Sequence, residues 1–186
     1  MKFDSRDIAL TAVFAALYAG IVIIQGLSAA ATIQLRIADC LIPLSALFGL
    51  PVILGVTLGC FVSNTYTSAA VPNGVFDIVF GPVANLVAAT LIYLLRNRRL
   101  IGCVIGSITT GSIVGSYVWV LFGPPLGIFG LNFPSSWPVW AASVVSITAS
   151  SLIAMAVIGY ILVTMLSRPS IIEPLKSRGL RVVSRK

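Results

Sequence analysis

Apolar residues fall in long runs along this chain, separated by short polar or basic gaps. The first run, residues 8–27, is about 20 residues, enough to cross a hydrocarbon core of about 30 Å as a helix. Residues 32–39 interrupt the pattern with Thr32, Gln34, Arg36 and Asp39. Two short runs follow, 37–50 and 51–66, divided by Gly49-Leu50-Pro51, where proline cannot continue the helix before it. They read as a hairpin of two short spans; the alternative is one kinked segment ending on the far side. Pro72-Asn73-Gly74 signals a turn. Further spans are expected at 75–95, 100–122 and 139–166, the fourth interrupted by Gly81-Pro82. Residues 123–138 are too rich in Gly, Pro and Trp to be helix throughout.

The pattern predicts an all-α membrane protein, a bundle of six transmembrane helices over residues 1–167 with a basic cytoplasmic tail at 168–186. Composition agrees: 58% of the 186 residues are hydrophobic and 9% charged, with a mean hydropathy of +1.06. A soluble domain of this size cannot hide so much apolar surface. A cleaved signal peptide is the competing reading of the first run, given the small residues 28–31. The run is longer than a usual signal core, and Asp4 and Asp7 dilute the positive start.

The net charge of +7 changes the picture only through its placement. With six spans and a cytoplasmic N-terminus, eleven of the 12 basic residues fall inside: Lys2, Arg6, Arg96, Arg98, Arg99, Arg168, Lys176, Arg178, Arg181, Arg185 and Lys186. Arg36 alone falls outside. Such a bias sets membrane orientation and is not the footprint of nucleic-acid binding. Five spans would move either the Arg96 cluster or the N-terminus to the other side. The expected location is the cell membrane, multi-pass, with both termini cytoplasmic.

Several chemistries are missing. There is no histidine, so histidine-based zinc sites, triads and haem ligation are excluded. Cys40, Cys60 and Cys103 form no C-x-x-C pair and read as small apolar residues. No P-loop and no G-x-S-x-G elbow occurs. The chain reads as no enzyme, with no cofactor of its own.

The polar outliers are the candidate site. Arg36, Asp39 and Asp77 lie at the outer edges of apolar segments, where ionisable groups are costly and therefore paired or functional. Arg36 and Asp39, at i,i+3, share a helix face and could close a local salt bridge at the helix start. Asp77 could cap the fourth helix. Asn64 and Asn85 read either as interhelical glue or as amides that recognise the edge of a planar heterocycle. Trp137 and Trp140 read as interface anchors or as a stacking surface. Ala9, Ala12, Ala16 and Gly20 form a stripe of small residues on the first helix, for packing inside the bundle or for docking a partner subunit.

Three motifs carry a family resemblance. Gln34-Leu-Arg36-Ile-Ala-Asp39-Cys-Leu is similar to a Q-x-R-x-x-E-A-L stretch; residues 55–64, GVTLGCFVSN, to G-x-x-x-G-C-x-x-[AS]-N; and Phe76-Asp77-Ile-Val-Phe-Gly81 to x-D-[IV]-[IV]-F-G. The first helix, with Ala12-Val-Phe-Ala-Ala16, has the A-x-x-x-A element of substrate-binding (S) components of energy-coupling factor (ECF) transporters. Over residues 8–165 the chain resembles the QueT-like S components, assigned to queuosine precursors. The resemblance implies a small-molecule substrate, a 7-deazaguanine, bound near the outer face. It also implies a transmembrane coupling subunit and two ATPases as partners, which would use the ATP. Its aminomethyl form, a cation, would pair with Asp39 or Asp77, and Arg36 would orient Asp39. Where the family carries Glu this chain has Asp39, one methylene shorter, so a shifted pose or another ligand is implied. The alternatives are a stand-alone secondary transporter or permease and a ligand-free membrane assembly subunit.

Overall fold

A computed structural model of the chain describes residues 4–26, 36–125, 127–128, 131–134, 136–177, 179 and 182–183. The run of small residues at 28–31, Gln34, and the basic residues Lys2, Arg178, Arg181, Arg185 and Lys186 lie outside them.

The fold is all-helical apart from a two-residue antiparallel ribbon, β1 (Gly127–Ile128) and β2 (Leu131–Asn132). Among the described residues, five helices are long and apolar enough to cross a membrane. They are α1 (Ser5–Gly26), α3 (Leu50–Ser68), α4 (Val75–Leu94), α5 (Arg99–Phe122) and α6 (Val139–Leu166). Their surfaces stay rich in exposed Leu, Ile, Val and Phe, as expected where the surrounding solvent is lipid. The remaining apolar segment is shorter: α2 (Ile37–Phe48) is eight residues of 3₁₀ helix followed by one α-turn. α6 contains a π-helical stretch at Leu152–Gly159. An amphipathic helix, α7 (Pro169–Ser177), follows α6.

Glycines set which helices touch. A Cβ added at Gly55 would stand 2.7 Å from Phe14 Cβ, and one at Gly59 2.6 Å from the Ala15 carbonyl oxygen and 2.8 Å from Tyr18 Cβ. α3 therefore lies backbone-close to the α1 face formed by Thr11, Phe14 and Tyr18. The pairing Thr11–Gly55, Ala15–Gly59 advances in both sequences, so α1 and α3 run parallel. The hairpin pairs α3–α4, α4–α5 and α5–α6 turn back. Gly102 and Gly106 meet Leu95 and Ile92 across the α4–α5 hairpin, and Gly111 and Gly115 meet Thr148 and Val144 of α6.

Because α1 and α3 are parallel, the chain between them must return the length of the bundle, and α2 makes that return. It starts at Arg36, beside Asn64 of α3, and ends at Gly49, beside Tyr93 at the end of α4. Eight 3₁₀ residues at about 2.0 Å and four α residues at about 1.5 Å give roughly 22 Å. From residue 49 to residue 64, α3 climbs about 22 Å at about 1.5 Å per residue. The stretched 3₁₀ geometry is what lets so short a segment match its neighbour. Gly49 makes the reversal with φ +66° and ψ −134°, and Pro51 then sits in the first turn of α3, where its missing N–H costs nothing. Every α2 residue from Ala38 to Phe48 is buried.

The described basic residues divide between the two ends. Arg6 lies against Gly179, Arg99 donates to the Ser167 hydroxyl, and Arg96 lies over the Tyr93 ring at 4.9 Å. Arg98, Arg168 and Lys176 flank these groups in sequence. Arg36 is at the opposite end. The chain after α7 returns to the basic end, where the Val183 N–H donates to the Leu47 carbonyl at 2.7 Å.

Candidate functional site: a buried polar cluster at one end of the bundle

At the end opposite the basic rim, α1, α2, α3, α4 and α5 each contribute polar side chains to one cluster. Asn64 and Asp77 face each other because α3 and α4 form a hairpin through residues 69–74. Asn64 Nδ2 donates to the Asp77 carbonyl at 2.8 Å, and Asn64 Oδ1 accepts from Arg36 Nη2 at 2.5 Å. The amide thus ties the backbone of α4 to the guanidinium that opens α2. Gly81 leaves the room for it, since a Cβ there would run into Asn64 Nδ2.

Asp77 is the hub. Its Oδ1 accepts from the Tyr117 hydroxyl of α5 at 2.9 Å, and its Oδ2 accepts from Ser68 of α3 at 2.9 Å. Arg36 Nη2 stands 3.9 Å from Oδ2, an ion pair by charge but too long for a hydrogen bond. The Tyr117 ring packs against Phe80 with centroids 5.9 Å apart. Asp39 has a separate partner: the Tyr18 hydroxyl of α1 donates to its Oδ1 at 2.6 Å. Asn85, also buried, donates to the Val56 carbonyl at 3.3 Å. The carboxylates are almost closed off from the surface, Asp39 at 3% exposure and Asp77 at 6%.

Two local readings of the sequence are corrected. Arg36 and Asp39 form no salt bridge with one another; Arg36 pairs with Asp77 across the bundle. The reason is backbone: Arg36 has φ −80° and ψ 87° and stands outside the helix, so the i,i+3 face does not extend to it. Asp77 does not cap α4. The helix begins at Val75, the Asp77 N–H already bonds to the Gly74 carbonyl, and the carboxylate turns inward.

Trp137 and Trp140 belong to the same end of the bundle, at the start of α6, but both are exposed and neither is among the bonded members of the cluster. Trp137 stacks on Phe133 at 5.8 Å. Ala9, Ala12 and Ala16 lie on the exposed side of α1, and the space around Gly20 is open for 4 Å. The inward face of α1 is instead Thr11, Phe14, Tyr18 and Val22, so among the described residues the small-residue stripe faces away from the bundle. Tyr18, Ser68 and Tyr117 are the members that the sequence reading did not single out. For Tyr18 the signal was a tyrosine in mid-span, where a phenol needs a buried partner, away from the interface that tyrosine prefers; Ser68 and Tyr117 lie near helix ends and carried no such signal.

Long apolar helices closing around an ion-paired, hydrogen-bonded cluster near one end are the build of a polytopic membrane transport protein, where buried ionisable groups mark a substrate path. The comparison with known families narrows this: the QueT transporter family matches over residues 8–168, and the chain belongs to that family. Membership implies transport rather than catalysis. No curated protein and no solved structure matches the chain.

Proposed function

We propose that the chain is the substrate-binding membrane component of an ECF-type importer, taking up a 7-deazaguanine precursor of queuosine or archaeosine, or a related vitamin-like compound. The observation that carries the reading is that Arg36, Asp39, Asn64 and Asp77 gather toward one end of the bundle, with Asn85 buried against Val56 at mid-depth. Planar heterocycles with alternating donors and acceptors are recognised by such amides and carboxylates. Trp137 and Trp140, at the same end, would flank the mouth. In this reading α2 is a sixth crossing, the basic rim faces the cytoplasm with both termini, and the cluster opens outward. The exposed stripe of Ala9, Ala12, Ala16 and Gly20 is where a coupling subunit would pack. Two partner ATPases would supply the energy, since this chain has no P-loop.

The test is calorimetry of the detergent-purified chain with 7-aminomethyl- and 7-cyano-7-deazaguanine, paired with co-purification. Binding of either compound, with recovery of a coupling subunit and ATPases, supports the reading. Folded protein that binds neither removes the substrate. Uptake that persists in cells lacking the ATPases makes the chain a stand-alone transporter instead.

A further inference from the structure

The arginines of the basic end are gathered at one corner. Arg96 and Arg98 lie in the 3₁₀ turn between α4 and α5, and Arg99 opens α5. The Arg99 guanidinium donates to the Ser167 hydroxyl at the end of α6, which brings the adjoining Arg168 to the same place. Arg98 and Arg168 are exposed. Among the described residues no carboxylate is in salt-bridge range of Arg96, Arg98 or Arg168. Arg96 donates through Nη1 to the Tyr93 carbonyl at 3.2 Å, and its Nε is buried without a hydrogen-bond partner among the described residues. Arg98 and Arg99 also stand at the positive end of the α5 dipole, where cations are unfavourable. Like charges brought together in this way repel, and an anion among them removes the repulsion.

The corner has an apolar flank as well. Leu94 and Leu100 are exposed on either side of the turn. Ile101, Ile105 and Ile108 are exposed at i, i+4 and i+7, so one apolar stripe climbs α5 directly from the arginines. We propose that this corner binds one anionic phospholipid, its phosphate held by Arg98 and Arg168 with Arg96 behind them, and an acyl chain laid along Ile101, Ile105 and Ile108. Guanidinium forks pair with the two unesterified oxygens of a phosphate diester. A free phosphate would meet the arginines alone, whereas a lipid matches both halves of the surface. The inference is independent of which substrate the chain carries.

The test uses the full chain, delipidated in maltoside micelles, with bound lipid counted by native mass spectrometry. The probes are phosphatidylglycerol, phosphatidylcholine, inorganic phosphate and glycerol 3-phosphate. A basic residue at a membrane surface contributes about fivefold in affinity for anionic lipid, so two should give phosphatidylglycerol a preference of about 30-fold over phosphatidylcholine. Arg98→Gln combined with Arg168→Gln should reduce that preference to about threefold or less. Arg6→Gln combined with Lys176→Gln removes the same charge from the same end but outside the corner, and should change it by less than about threefold. If the first pair does not fold, the wild-type ratio and the phosphate competition still decide. Equal binding of the two lipids overturns the inference. Equal losses in the two double variants overturn it too, since net charge then suffices. Displacement of phosphatidylglycerol by either free phosphate at the concentration at which the lipid itself competes makes the corner a soluble-anion site. Unchanged lipid binding in the first pair, with loss of a co-purifying protein, assigns the corner to that protein and overturns the lipid.

Discussion

The bond between Tyr117 and Asp77 offers a quantitative test of whether the cluster is held together as a charged unit. Tyr117→Phe deletes one hydroxyl and keeps the ring on Phe80. Asp77→Asn keeps the shape and removes the charge. Neutral interhelical hydrogen bonds in membrane proteins average about 0.6 kcal/mol and reach about 1.7. Hydrogen bonds to charged groups contribute about 1.5–3 kcal/mol. Asp77 spreads its charge over Tyr117, Ser68 and Arg36, so the lower end applies; because the Asn oxygen still accepts a neutral bond, a double-mutant cycle reads the charged bond less the neutral one, a coupling of about 1 kcal/mol. The chain holds its own control. Ser45 of α2 donates to the Ala89 carbonyl of α4 at 2.9 Å, a buried neutral bond between helices. Ser45→Ala should therefore cost about 0.6 kcal/mol. The assay is reversible unfolding in mixed micelles by added dodecyl sulfate, followed by tryptophan fluorescence and far-UV circular dichroism. A Tyr117–Asp77 coupling no larger than the Ser45 effect would refute the charged hub.

Three further outcomes follow from the packing. Gly59→Ala places a methyl 2.6 Å from the Ala15 carbonyl oxygen; forcing α1 off α3 should lower stability by about 1–3 kcal/mol in the same unfolding assay. Ala16→Leu adds bulk on the exposed side of α1; it should change stability by less than about 0.5 kcal/mol while reducing co-purification of a coupling subunit, and unchanged recovery would count against docking there. Gly81→Ala drives a methyl into the Asn64 amide; ligand affinity measured by calorimetry should fall at least about tenfold, equivalent to about 1.4 kcal/mol.

The five long helices were legible because hydropathy over about 20 residues is a direct readout of the cost of backbone and side chains in lipid. The Pro51 break was legible for the same kind of reason, since the missing N–H must fall in a first turn. The 3₁₀ winding of α2 was not, because nothing in Ile37–Leu44 encodes a rise per residue; the distance to be covered beside α3 sets it. Arg36, Asp39 and Asp77 were visible as charges in apolar surroundings, yet their pairing was misread. Sequence spacing assumes a helix through Arg36, and the backbone there is extended away from it. Tyr18, Ser68 and Tyr117 escaped notice because one hydroxyl scarcely alters a run of apolar neighbours. The small-residue stripe of α1 was seen, but its direction required knowing that Gly55 and Gly59 claim the other face.

The sealed position of α2 also bears on how the protein is made. Twelve residues with a carboxylate in the first turn are too short and too polar to partition into a bilayer by themselves. Synthesis delivers α1 first, and its Tyr18 hydroxyl is the partner that Asp39 needs. The second half of the arrangement, Asn64 and Asp77, arrives only with α3 and α4. Stable insertion of α2 therefore waits on helices that follow it, and a nascent chain halted before Asp77 should still hold α2 at the interface. The order of assembly is written into which helices carry the partners of Arg36 and Asp39.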